Sequence, residues 1–61
     1  MPKYDVRENI ISDNTHDVVD AATGEVVIVN DTWLGALPFE DADDVADLLN
    51  VVHARRGGLL N

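Results

Sequence analysis

Apolar and polar residues alternate twice in the first half of the chain and then change period. In "KYDVRE" (3–8), Tyr4 and Val6 alternate with Asp5 and Arg7, the period-two pattern of a half-buried strand. "IISDNT" (10–15) interrupts it with four turn formers, Ser12, Asp13, Asn14 and Thr15. In "HDVVDAATGEVVIVND" (16–31), two β-branched runs flank "AATG", and Gly24 can take the left-handed conformation a four-residue loop requires. Asp20 and Thr23 can accept hydrogen bonds from the loop amides. The pattern predicts a hairpin over 16–30 in which Val19 faces Val26 and Val18 faces Val27. From Asp41 the period becomes helical: Ala42, Val45, Ala46, Leu49 and Val52 recur at i, i+3, i+4 spacing, and Leu48 widens the stripe.

The helix is expected over about residues 41–55. Asp41 is the expected N-cap, Asp43 and Asp44 place charge in the first turn, and His53, Arg55 and Arg56 place opposite charge in the last. Phe39 is expected to enter the core just ahead of it. Gly57-Gly58 reads as the stop, leaving a tail over 57–61 in which Leu59 and Leu60 fold back. "DTWLGALP" (31–38) is a loop or short third strand holding the only tryptophan, Trp33, within a loop region 31–40. The expected fold is α+β: one small domain with an antiparallel sheet of two or three strands and one C-terminal helix.

A single helix covers one face of such a sheet. One face carries Val19, Val26 and Ile28, the other Val18, Val27, Val29 and His16, so one of them needs a second cover. This predicts a homodimer or a protein partner. The candidate partner-binding residues are Val18, Val27 and Val29 of the hairpin, Trp33 of the loop, and Val51 and Val52 of the helix.

Composition sharpens this. A chain of 61 residues holds one small core, and with no cysteine it has neither disulfides nor thiolate metal sites. Oligomerisation is the remaining means of reinforcement. Twelve acids against four bases give a net charge of −8, shared equally between the two halves. That charge repels phosphate backbones and argues against direct binding to nucleic acid or an anionic membrane. It favours a basic protein partner. The longest aliphatic run, "VVIV" (26–29), is far short of the ~20 residues of a membrane helix, and "MPKYDVRE" has no apolar signal core. These features suit a bacterial cytoplasm.

The acidic stretch "FEDADDVADLLN" (39–50) raises two chemical possibilities. As a calcium loop counted from Asp41, it has Ala46 where glycine belongs and Val52 where glutamate belongs, so no metal site is expected. As a phosphate-like surface, Glu40, Asp43, Asp44 and Asp47 project from one side of the helix. Such a surface can occupy a basic groove, whereas a solvated helix face with capping acids explains most of it. His16 and His53 are the only histidines, and no nucleophile elbow, zinc-binding helix or phosphate loop accompanies them. No enzyme activity and no cofactor are expected.

The combination of "VVDAATGEVV" (18–27) and "PFEDADDVADLLN" (38–50) resembles small uncharacterised proteins of actinobacteria and their bacteriophages. In that layout a hairpin with an Asp…Thr-Gly turn precedes a phenylalanine, an acidic cap and an alanine-rich helix ending in Leu-Asn. The matching residues are Asp20, Thr23, Gly24, Phe39, Ala42, Ala46, Leu49 and Asn50, spread over just over half the chain. The resemblance implies a sheet-plus-helix fold and a phage or prophage accessory role, with no known activity. The helix departs from it by continuing past Asn50 into "VVHARR" (51–56), an extension expected at a dimer contact. The leading expectation is a non-enzymatic protein-binding module acting on a host protein as a homodimer. The alternative is an acidic nucleic-acid mimic of the anti-restriction or anti-CRISPR kind.

Overall fold

The computed structural model describes residues 2–60, with side chains through Arg56. It is α+β: β1 (Tyr4–Glu8), β2 (His16–Asp20), β3 (Ile28–Val29), β4 (Thr32–Trp33) and α1 (Phe39–Leu60). β1 and β2 are antiparallel, with Tyr4 opposite Asp20, Val6 opposite Val18 and Glu8 opposite His16. Their connection folds locally as its composition predicts. The Asn9 side-chain carbonyl accepts from the Ile11 and Ser12 amides (2.9 and 2.8 Å), and the Thr15 hydroxyl donates to the Ser12 carbonyl (2.7 Å).

The other edge of β2 is shared by two segments. The first is the expected hairpin arm. Val19 bridges Val26, the Val27 amide donates to the Val18 carbonyl (2.9 Å), and Gly24 takes φ 77° in the loop. Asp20 accepts from the Ala22 amide and Thr23 Oγ1 from the Glu25 amide, the two loop roles expected of them. The arm then leaves β2. Residues 28–33 form a separate hairpin, with Ile28 opposite Trp33 and Val29 opposite Thr32. Its two-residue turn, Asn30-Asp31, has both residues at positive φ (50° and 63°), the geometry that matches strand twist. The tight local turn therefore removes Ile28 and Val29 from the hairpin expected over 16–30. Residues 34–37 take their place along β2: the Val18 amide donates to the Leu34 carbonyl, and His16 and Leu37 exchange two bonds (2.7 and 2.8 Å).

Between those two contacts β2 contributes one residue, Asp17, and the opposing segment contributes two, Gly35 and Ala36. This is a β-bulge. Ala36 adopts φ 54°, a conformation unfavourable for a residue with a Cβ. The buried Asp17 carboxylate holds it there, accepting from the Ala36 amide (2.8 Å) and from the Asn9 side-chain amide (2.9 Å). Burial pushes the Asp17 pKa up, but the Ala36 and Asn9 donors with the nearby Arg7 charge outweigh it, leaving the group below its ordinary 3.8.

Pro38 has no N–H to extend the sheet, so pairing ends at Leu37 and the Pro38 carbonyl accepts from the Ala42 amide (3.0 Å). The helix thus starts at Phe39, and Asp41 lies within its first turn beside Glu40, not at the cap. Ala42 and Ala46 are buried against Val18, with Tyr4, Val6, Val27, Val45 and Leu49 around them. The two alanines let the helix backbone approach the sheet closely. Full burial of Val18 is worth roughly 1.5–3 kcal/mol. Leu48, expected to widen this stripe, and Phe39, expected in the core, are both exposed. Phe39 meets the His16 ring edge-on at 5.1 Å.

One turn further on, Asn50 makes two bonds to β1. Its carbonyl accepts from the Tyr4 amide (2.9 Å) and its NH₂ donates to the Tyr4 carbonyl (3.0 Å). The helix continues through residues 57–58 to Leu60, so the expected glycine stop is not used and the last turn carries no base. A glycine ends a helix by turning left-handed, and here both stay helical. The fold-back expected of Leu59 and Leu60 concerns side chains outside the described residues.

Two outcomes follow from the bulge. Ala36→Gly relieves the left-handed strain and raises stability by up to about 1 kcal/mol in urea denaturation. Because folding lowers the Asp17 pKa, its stabilisation is complete above 3.8 and is lost as pH falls through the folded-state value. Asp17→Asn costs about 1–3 kcal/mol at pH 7 and flattens this acid dependence in a pH series of melts.

Candidate functional site

Each of the two histidines meets an aromatic ring. The His53 ring meets Tyr4 edge-on at 6.4 Å, and His16 lies against Phe39 with its Nδ1 buried and without a hydrogen-bond partner. Ser12 is engaged in the β1–β2 connection through its amide and carbonyl. Among the described residues, no three His, Asp or Glu side chains gather in a metal-holding group. No helix among them is long and apolar enough to cross a membrane.

The surface is more informative. Val18 is fully buried and Val27 packs beside it against α1, so these two members of the expected binding surface are core residues. The helix has therefore chosen the face of Tyr4, Val6, Val18 and Val27. Of the residues expected on the opposite face, Val19 is buried, Val26 is half-buried and Ile28 is exposed. Val29 and Val52 come together instead. With Tyr4, Leu49, His53 and Arg56 they line a groove of about 370 Å³ between the β3–β4 hairpin and the helix.

Trp33 points the other way. Residues alternate across a strand, so Trp33 and its partner Ile28 lie on the hairpin face opposite Val29. Both are more than half exposed. The Trp33 indole lies over Gly35, so closely that an added Cβ would clash with the ring. That glycine is buried and gives the indole its seat. Trp33 thus has one supported face and one free face, the arrangement of a binding anchor.

On the helix, Glu40, Asp43, Asp44 and Asp47 share a face through their three- and four-residue spacing, and all four are exposed. None takes part in an ion pair among the described residues. The one salt bridge there joins Lys3 to Asp20 at 2.9 Å. Each partner's hydrogen bond and charge raise the Lys3 pKa and lower that of Asp20, whose carboxylate also accepts from Ala22. Beside the acidic face, Leu48, Val51 and Val52 form an apolar stripe, with Leu48 63% and Val51 47% exposed.

Sequence reasoning missed Ile10 and Ile11. They sit in the β1–β2 connection and are 95% and 89% exposed, the most open large apolar side chains described. Their signal was two isoleucines immediately before a run of turn formers, a place where no strand or helix can bury them. Ile28 was likewise assigned to a sheet face and belongs to the exposed hairpin pair. Comparison with family models, curated proteins and solved structures finds no match for this chain.

Gly35→Ala forces the Trp33 ring off its seat. Its emission maximum shifts to the red and acrylamide quenching rises relative to the parent chain, whereas an unchanged spectrum would show that the indole does not rest there.

Proposed function

We propose that this chain is a non-enzymatic protein-binding module. The observation that carries the reading is an inversion of apolar residues. The buried hydrophobics are Val18, Val19, Ala42 and Ala46, none larger than valine, while Ile10, Ile11, Ile28, Trp33, Phe39, Leu48, Val51 and Val52 are exposed. A soluble domain of this size gains little by holding its largest apolar side chains in water. Burying them against another protein recovers that free energy, and an acidic rim steers a basic partner while repelling nucleic acid. Trp33 and Ile28 form one anchor pair and the helix stripe a second surface, so the module has room for a host protein and for a second copy of itself. An accessory role within a bacterial cytoplasm, of the kind the sequence resemblance implies, is part of this proposal.

One observation favours a second reading. Glu40, Asp43, Asp44 and Asp47 are all exposed on one helix face, a spacing suited to standing in for phosphates. A nucleic-acid mimic would use that face to block a basic groove on a host protein.

The two readings separate by salt and by variant. Affinity capture from a native-host lysate is run with the parent chain, with Trp33→Ser plus Ile28→Ser, and with Asp43, Asp44 and Asp47 changed to Asn. The apolar reading expects a partner retained across a salt gradient and by the Asn variant, and lost by the Ser variant. A partner that is released steeply by salt and lost by the Asn variant establishes mimicry instead.

A further inference from the structure

The exposed stripe on α1 has charge arranged along it as well as around it. Asp41, Asp44, Leu48, Val51 and Arg55 recur at alternating three- and four-residue intervals, the spacing of a helix–helix seam, and all five are exposed. Val52 flanks the seam. The seam is acidic at its N-terminal end, apolar in the middle and basic at its C-terminal end. Such a polarity opposes itself in a parallel pair and complements itself in an antiparallel one.

We infer that α1 is a self-association surface, on which two copies pair antiparallel through Leu48 and Val51, with Asp44 of each copy facing Arg55 of the other. A two-fold axis between residues 49 and 50 sets Leu48 opposite Val51 and Asp44 opposite Arg55 at the same time. The pairing is isologous and closes at two copies. Asp41 falls opposite Gly58, a position with no side chain to obstruct the approach. The sheet does not interfere, because it packs on the helix face carrying Ala42, Ala46 and Leu49.

Two other surfaces serve this purpose less well. The outer edge of β1 is obstructed: Asn50 occupies both backbone groups of Tyr4, and the Asp5 carboxylate accepts from the Val6 amide. The Ile28–Trp33 pair carries no complementary charge pattern. The inference rests on the protein-binding reading and specifies one of its partners. Its failure is separable, since Trp33 and Ile28 lie apart from the seam.

Sedimentation velocity of the full chain over a range of concentrations tests it, with helicity of each variant checked by circular dichroism. The parent chain is expected to form a dimer. Asp44→Arg alone and Arg55→Asp alone place like charges at both cross-contacts and weaken self-association by about tenfold or more. Mixing these two variants restores a dimer, because every cross-contact then joins opposite charges. The double variant carrying both swaps in one chain restores it too. A parent chain that stays monomeric overturns the inference. So do single swaps that dimerise as the parent does, a mixture that stays monomeric, or a dimer lost only with Trp33→Ser plus Ile28→Ser.

Discussion

The buried carboxylate of Asp17 is the interaction on which the rest of this fold depends. It lies on the central strand, and its two donors come from opposite directions: Asn9 from the β1–β2 connection and Ala36 from the segment that leads into the helix. A charge without such partners is costly inside a protein. Here the donors satisfy it, and the same bonds fix the bulge that lets residues 34–37 follow β2. The helix begins only two residues after Leu37, so the bulge also sets where α1 crosses the sheet. One side chain thus ties together three segments, and Leu34 and Leu37 add apolar packing of the last of them against Val18 and the helix alanines.

This arrangement explains how a chain with such a small core keeps a defined shape. Valine and alanine form its buried centre, and they supply close approach more than area. Directional contacts do the rest: the Asp17 cluster at one end of the sheet and the Asn50–Tyr4 pair at the other. Leu34, Leu37, Leu49 and Tyr4 are only half-buried around that centre, and several other large apolar side chains lie outside. The architecture therefore separates what holds the fold from what faces its surroundings.

Periodicity revealed much of this architecture. The alternation in "KYDVRE", the Asp20–Thr23–Gly24 loop and the Val19–Val26 register all recur in the structure, as does a helix with Ala42, Val45, Ala46 and Leu49 facing the sheet. These are local patterns or consequences of a turn. What was not legible came from competition between turns. Asn30-Asp31 reads as a turn from sequence, but that it would detach residues 28–33 depends on Leu37 bonding to His16 instead. The role of Asp17 was hidden for a related reason: a carboxylate in a strand reads as an outward position, and only a bulge opposite it makes burial favourable. Among the surface candidates, Trp33, Val51 and Val52 are exposed, whereas Val18 and Val27 pack in the core because of the face the helix took, which the pattern alone left open.

The Asn50–Tyr4 clamp also has a bearing on the order of events during synthesis. The two residues are 46 positions apart, so the outer edge of β1 emerges from the ribosome long before its guard. Until α1 has been made and docked, the open backbone groups of β1 and the isoleucines just beyond it are presented together. Closing this contact requires bringing distant parts of the chain together, a slower step than forming either hairpin. The interval before that closure is when the nascent chain is most open to pairing with another strand, and it lasts until a helix made after all four strands has docked.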